Sequence, residues 1–410
     1  MINNIFPRII IDEIKKFIFT DEIIVLHGAR QVGKTHLLYL IENYLEETDN
    51  KFFYIDLEDS RFADILDKGI NEFLKYLTEQ GFNLKKFNKN KKFFVLIDEI
   101  QYLKNPSSFL KLIADHHNYL KLIVSGSSSF EIKSKFKNSL AGRTINFEIF
   151  PLSFEEFLIF KNYSNPKVIN EKKLTDKTIS ELRDFYKDYA LYGGYPKIVL
   201  TDDIELKEKY LQQIIDTYVK KDIRDLANVK DIDKFNKLLE VLASQSGSLL
   251  EIKELSDTVN LAAQTVGNYL FILENTYIIK MVRPFHKNIR SELFKTAKIF
   301  FYDSGLAQML WLKRLQKEIL GSVFETNIFG QLVKLYGKEN ILYWRTTDKK
   351  EIDFIIKKDN KILPIEAKLN FAGFNKTASE YFCEKYNTDY AVTALDGEPT
   401  DIHYKYPWEI

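Results

Sequence analysis

The chain has 410 residues, too many for one ordinary domain, so roughly two to four are expected. Its 59 Lys+Arg against 58 Asp+Glu leave a net charge of +1, which excludes a global field for nucleic acid or membrane, so any such contact must come from a local patch. A single cysteine, Cys383, excludes an internal disulfide framework and fits a reducing compartment.

Residues 1–151 alternate strand and helix, with apolar runs at 23–26, 52–56, 93–98, 121–125 and 144–150. That alternation predicts a parallel sheet with crossover helices. Between the first run and a helical pattern lies Gly28-Ala29-Arg30-Gln31-Val32-Gly33-Lys34-Thr35, followed by His36. Strand, glycine loop and helix is the context in which G-x-x-x-x-G-K-T cradles phosphate. The glycines let backbone N–H groups turn inward, Lys34 reaches the β and γ oxygens, and the Thr35 hydroxyl binds Mg²⁺. The run Phe93–Ile97 closes in Asp98-Glu99, a Walker B arrangement. Asp98 would hold Mg²⁺ through water, and Glu99 would orient the attacking water. The run Leu122-Ile123-Val124 leads into Ser125-Gly126-Ser127. There Ser125 or Ser127 is placed either to sense the γ-phosphate or to cap a helix.

From residue 152 the pattern turns helical. Ser153 with Glu156 reads as a capping box, and Tyr192-Gly193-Gly194-Tyr195-Pro196 forces a turn. A helical unit after a nucleotide-binding sheet would form a lid. Three amphipathic helices and a two-strand wing over 229–303 give the order of a winged helix-turn-helix. Its third helix is expected to display Gln264, Thr265, Asn268 and Tyr269, beside a basic loop holding His286, Lys287, Arg290 and Lys295. Either DNA contact or packing between domains accounts for these groups.

In the last segment Glu351–Ile356 and Ile362–Lys368 read as neighbouring strands. Glu366 and Lys368 lie two apart and share a face, with Asp353 on the strand before. Two carboxylates bind Mg²⁺, and the lysine orients or deprotonates a water that attacks a phosphodiester. Glu325, on a preceding helix, would complete the metal shell. Charged solvent faces on a plain hairpin are the competing account.

Taken together, these segments resemble the prokaryotic AAA-type ATPases that carry a C-terminal nuclease-like domain of unassigned role. The resemblance covers nearly the whole length. It rests on His27 to Leu38, Phe94 to Gln101, Ser125 to Ser128, Leu140 to Arg143, Pro151 to Phe157, Tyr192 to Pro196, Phe301 to Leu306 and Glu351 to Lys368. It implies that Arg143 is an arginine finger, often given to a neighbouring subunit. It implies that Gly194 and Pro196 belong to a lid turn closing on adenine. It also implies that Asp353, Glu366 and Lys368 occupy the PD-(D/E)-x-K positions.

The expected fold is α/β: a P-loop AAA-type core at 1–151, a helical lid at 152–228, a winged helix at 229–303, and a restriction-endonuclease-like α/β domain at 304–410. The expected function is a Mg²⁺-dependent switch that binds and slowly hydrolyses ATP. Lys34, Glu99 and Arg143 are its catalytic residues, and DNA is a candidate partner. The alternative is an ATP-gated protein-interaction module with an inactive nuclease-like domain and an unknown protein partner. Self-association would run through Arg143. Met1 to Pro7 lack a signal-peptide pattern and the apolar runs are strand-length, so a cytoplasmic protein without a membrane span is expected.

Overall fold

A computed structural model describes residues 5–126, 140–171, 173–222, 229–286, 296–359 and 361–410. The chain divides into two units, Met1–Phe150 and Pro151–Ile410.

In the first unit the apolar runs become parallel strands: β1 Ile23–Gly28, β2 Phe52–Asp56, β3 Phe93–Asp98, β4 Leu120–Gly126 and β5 Thr144–Ile149. Every residue of β1, β3 and β4 is buried, which is why they read as continuous apolar runs rather than alternating ones. The sheet order is β2-β3-β4-β1-β5. Among the described residues this unit also has helices α1 Ile11–Lys15, α2 Lys34–Glu47, α3 Ser60–Asp67, α4 Ile70–Glu79 and α5 Pro106–His116. Phe73 of α4 and Phe109 of α5 meet at 5.8 Å over the β3 face. The register sets Ile97 beside Val124 and His27 beside Gly126, so β1, β3 and β4 end together. The crevice beyond the carboxyl ends of such strands is where an open parallel sheet binds ligands.

At the opposite end of the sheet, the β4 side chain of Lys121 is 1% exposed. Its ammonium donates to the carbonyls of Phe17 (2.8 Å), Thr20 (3.0 Å) and Glu22. Burial pushes this lysine down to about 7.

The second unit opens with α6 Phe154–Phe160, whose Ser153 and Glu156 form the capping box read from the sequence. Helices α7 Asp176–Tyr192, α8 Pro196–Val199 and α9 Ile204–Ile214 follow. Then come α10 Ile232–Ser244, α11 Ile252–Val259, α12 Ala263–Asn275 and the antiparallel hairpin β6 Ile279–Val282 with β7 Lys298–Phe301. After α13 Ser304–Leu312 and α14 Gly321–Tyr336 comes a mixed sheet of β8 Ile341–Arg345, β9 Glu351–Lys358, β10 Lys361–Asn370, β11 Ala391–Asp396 and β12 Tyr404–Lys405. Helix α15 Thr377–Tyr386 connects β10 to β11. The first three strands are antiparallel, and β10, β11 and β12 are parallel.

Phe300 of β7 stacks on Phe329 of α14 at 4.8 Å and lies 5.3 Å from Phe354 of β9. The hairpin and the mixed sheet therefore share one core. The helical segment joins that core through several contacts, of which two stand out. Trp408 stacks on Phe154 at 6.2 Å and meets Tyr186 at 6.1 Å. The Gly193-Gly194 turn docks on buried Asp303, which caps α13 by accepting from Leu306 N–H (2.9 Å) and also takes Gly194 N–H (2.8 Å). Gly193 needs its positive φ of 79° here, and a Cβ would land 2.2 Å from the Asp303 carboxylate.

Candidate functional site

The phosphate loop turns on two left-handed residues, Gln31 at φ 62° and Gly33 at φ 96°. Helix α2 begins at Lys34, so its unpaired first-turn N–H groups stand at the loop, as anion sites at helix starts require. Lys34 is 5% exposed, and its ammonium donates to the carbonyls of Gly28 (3.2 Å) and Ala29 (2.7 Å). Burial drives it down to about 8, against the opposing pull of Glu99 and Asp98. A phosphate would relieve that cost directly. Val32 is buried, and its carbonyl takes a 2.7 Å hydrogen bond from Arg8, whose second nitrogen donates to Phe150 O at 3.1 Å. His36 sits 2.7 Å from the Phe6 carbonyl through Nε2. Arg30 is half-buried in the same loop. The stretch from Phe6 to Arg8, which carries no motif, thus braces the loop from outside.

Asp98 is the hub at the strand ends. One oxygen accepts from the Thr35 hydroxyl (2.6 Å) and the Tyr54 phenol (3.2 Å). The other accepts from the Ser125 hydroxyl and from Glu99 N–H at 3.1 Å. Thr35 and Asp98 thereby present a hydroxyl and a carboxylate together, an all-oxygen pair of the type that suits Mg²⁺. Glu99 holds a left-handed φ of 55°, and Gln101 donates to its carboxylate. Tyr54 is a site residue that no sequence motif marks, and Gln101, the last residue of the stretch Phe94 to Gln101, has no role assigned by the sequence.

One expectation changes here, that for Ser125. Ser125 is fully buried and bonded to Asp98, so its hydroxyl serves the acid in this structure. Ser127 lies outside the described residues. Arg143 pairs with Asp115 at 2.6 Å, and its carbonyl takes the N–H of Ile23 at 2.8 Å. Ile23 opens β1 while Gly28 closes it, roughly 16 Å further on at about 3.3 Å per residue. Arg143 therefore stands beyond reach of its own phosphate loop.

In the second unit Gly194 and Pro196 have packing roles. Gly194 donates to Asp303, a Cβ there would meet Leu152 O at 2.6 Å, and Pro196 starts α8. On α12, Gln264 and Asn268 are exposed and Thr265 is half-buried. Tyr269 is not displayed as expected; it is 5% exposed and packs edge-on to Phe235 at 5.2 Å. The helical period carries it inward, because Val266, Tyr269, Leu270 and Leu273 share one face. Lys287, Arg290 and Lys295 lie outside the described residues.

The structure brings Asp353, Glu366, Lys368 and Glu325 into one cluster. Lys368 Nζ donates to Asp353 Oδ2 at 2.9 Å and to Glu366 Oε2 at 2.8 Å. Asp353 also takes Ala367 N–H at 2.9 Å. Burial and the charge of Asp353 push Glu366 up to about 8 and Glu325 up to about 7. Asp353 is held below the usual carboxylate range: burial opposes this, but Lys368 and Lys298 outweigh it. Lys298 and its partner Glu351 were not among the residues expected from the sequence; Nζ lies 2.7 Å from Glu351 Oε1. Asp353 and Glu366 converge on a single ammonium, and both are oxygen donors, so a hard divalent ion fits the pair. Among the described residues, no three His, Cys, Asp or Glu side chains converge into a complete cage.

Residues 20–158 match a family described as an AAA domain. Residues 183–318 and 320–398 match two domains of unknown function, DUF8612 and DUF4143. An uncharacterized protein of Haemophilus influenzae is 28% identical over 364 residues, covering 87% of this chain and 84% of the relative. The uncharacterized protein MJ1544 of Methanocaldococcus jannaschii is 27% identical over 364 residues, covering 87% of this chain and 77% of the relative. Among solved structures, domain III of the Thermotoga maritima replication initiation protein DnaA is 20% identical, covering 50% of this chain and 89% of that one, with a TM-score of 0.28. The Aeropyrum pernix ORC2 protein in its ADP form is 13% identical, covering 68% of this chain and 90% of that one, with a TM-score of 0.37. Superpositions this loose carry no argument of their own. The AAA-type reading of the first unit rests on the domain match and on the parallel sheet with its phosphate loop. Among the described residues no helix is long and apolar enough to cross a membrane.

Proposed function

We propose that the chain is a Mg²⁺-dependent ATPase of switch type whose nucleotide state acts on a second unit directed at phosphodiesters. The observation that carries the ATPase is the 2.6 Å bond between Thr35 and Asp98, which joins the phosphate loop to the acid strand at one point. Thr35 and Asp98 would hold Mg²⁺, which supplies charge to the β and γ oxygens when bound. Lys34 leaves the carbonyls of Gly28 and Ala29 for the phosphates. Glu99, oriented by Gln101, polarises the attacking water.

Phosphate release by wild type, Lys34→Ala and Glu99→Gln tests this, and equal rates in all three would sink it. Arg143 is the finger candidate, and its place at the far end of β1 means that it would serve a neighbouring copy. Arg143→Ala should then lose on the order of a thousandfold in turnover. Mixing it with Lys34→Ala should restore turnover, because one copy lends its finger and the other its intact loop. No recovery on mixing, or no loss in Arg143→Ala alone, removes the finger assignment.

The helix-helix-helix-hairpin order of α10–α12 and β6–β7 supports a winged helix, with Gln264, Thr265 and Asn268 as the groups that would meet DNA. Acids on α14, β9 and β10, with E-x-K on the last, support a PD-(D/E)-x-K site. Asp353 and Glu366 would hold a divalent ion that lends Lewis-acid charge to a phosphodiester, and Lys368 would orient the water. The second reading, a protein-interaction module with an inactive nuclease-like domain, is favoured by the incomplete cage among the described residues. Plasmid nicking with Mn²⁺ and ATP, lost in Asp353→Ala and Lys368→Ala, separates the two. DNA binding should weaken as salt rises.

A further inference from the structure

Both the start and the crest of the phosphate loop are tied to the last two residues of the first unit. At its start, Gly28 pairs with Ile149 in the sheet, so closely that a Cβ would lie 2.1 Å from the Ile149 carbonyl oxygen. At its crest the tie runs through Arg8. A loop that turns its N–H groups inward around phosphate turns its carbonyls outward. Val32 is fully buried, and a buried carbonyl costs free energy unless a donor meets it. Arg8 is that donor, at 2.7 Å. The second arm of the same guanidinium donates to Phe150 O at 3.1 Å. Arg8 is itself 4% exposed, and its planar fork is rigid, so the two carbonyls are held at a fixed spacing.

Phe150 ends the first unit and Pro151 opens the second. The next residue, Leu152, is gripped by its backbone within the second unit. Its N–H donates to Gly194 O at 2.7 Å, and its carbonyl accepts from the Tyr189 phenol (2.8 Å) and the Lys334 ammonium (2.9 Å). Gly194 N–H in turn donates to Asp303 at 2.8 Å. Between the carbonyl held by Arg8 and the amide held by Gly194 stands one residue, Pro151, whose ring fixes its φ. A link this short and stiff passes on a displacement that a long flexible linker would absorb.

We infer that Arg8 is a positioning residue that sets the phosphate loop against Phe150, and that nucleotide occupancy reaches the second unit along Val32, Arg8, Phe150, Pro151 and Leu152. This rests on reading the loop as an ATP site. When phosphates draw the loop N–H groups and Lys34 toward them, Val32 moves with its loop. The fork then either carries the Phe150 carbonyl along or releases one arm. In both cases the peptide entering Pro151 shifts, and with it the hydrogen bond from Leu152 to Gly194.

Amide exchange of the full chain, with and without the ATP analogue AMPPCP and Mg²⁺, tests this. In wild type the analogue should slow residues 28–35 and change exchange at Leu152 and Gly194 by about threefold, as coupling between linked sites does. Arg8→Met should bind the analogue about tenfold more weakly, the weight of one hydrogen bond from a charged group. With the analogue saturating, residues 28–35 of Arg8→Met should slow as in wild type, while Leu152 and Gly194 no longer respond. A residue that merely stabilised the first unit would leave that response intact once the loop is filled. Unaltered affinity, or a full response at both amides in Arg8→Met, overturns the proposal and leaves the ATP site standing. So does a wild type that binds the analogue with no response at either amide. If Lys34→Ala binds the analogue as well as wild type, the ATP site itself falls, and the relay with it. Should Arg8→Met fail to fold, Arg8→Lys takes its place. It keeps the charge but not the fork, so the response should fall there too, and a full response rejects the relay.

Discussion

Gly28 shows how much of the site is backbone geometry. It closes β1 beside Ile149 of β5, and a Cβ there would lie 2.1 Å from the Ile149 carbonyl oxygen. Gly28→Ala should therefore force the strands apart and destabilise the first unit by about 1–3 kcal/mol. The urea midpoint should fall with little change in slope. Lys121 offers a pH test. Its value drops from 10.5 to about 7 on folding, so the unfolded chain holds more protons across that window. Stability should rise with pH between those values, by at most about 1.4 kcal/mol per unit for one proton. Melting curves of wild type against Lys121→Met should diverge in favour of wild type as pH climbs, and parallel profiles would contradict the shift. Residues 28–35 and 98–99 were legible because their chemistry is local to one strand end. Arg8, Tyr54 and Lys298 were not, because each reaches the site from an element remote in sequence and carries no motif of its own. The inward turn of Tyr269 was readable from its helical spacing with Val266, Leu270 and Leu273, but its polar tip drew the reading outward.

Between helices, the contact of α7 with α13 leaves almost as little room as that of β1 with β5. Gly305 lies in the first turn of α13, where a Cβ would come 2.2 Å from the Tyr192 carbonyl oxygen at the end of α7. Gly305→Ala should push the two helices apart and unseat the Gly193-Gly194 turn from Asp303. A loss of about 1–3 kcal/mol is expected, together with faster amide exchange at Gly194. Unchanged exchange at Gly194 would mean that the turn holds without α13. The turn was visible in the sequence as paired glycines before a proline. Its partner was not, since Asp303 follows it by more than a hundred residues and looks like any strand-end acid.

At the scale of the whole chain, a switch requires that the first unit's nucleotide be felt in the second. Hydrogen exchange of the ATP-loaded Glu99→Gln protein against the ADP-loaded form should differ at residues 28–35 and also within Pro151–Ile410. Differences confined to Met1–Phe150 would leave an ATPase without a switch. The α/β character of the first unit followed from its strand-helix alternation, whereas the shared core of hairpin and mixed sheet depended on stacking between Phe300, Phe329 and Phe354 that no pattern announces. The stacking of Trp408 on Phe154 has a consequence in time. The first unit has all its strands once residue 149 is made, but the face of Phe154 that Trp408 covers, beside its contacts with Tyr186 at 4.7 Å and Tyr189 at 5.6 Å, waits until residue 408 appears, 254 positions later. At roughly 5–20 residues per second, a ribosome leaves that face bare for on the order of 10–50 s. Through that interval the nascent second unit is a natural client for chaperones, while the ATP-binding unit ahead of it is free to fold.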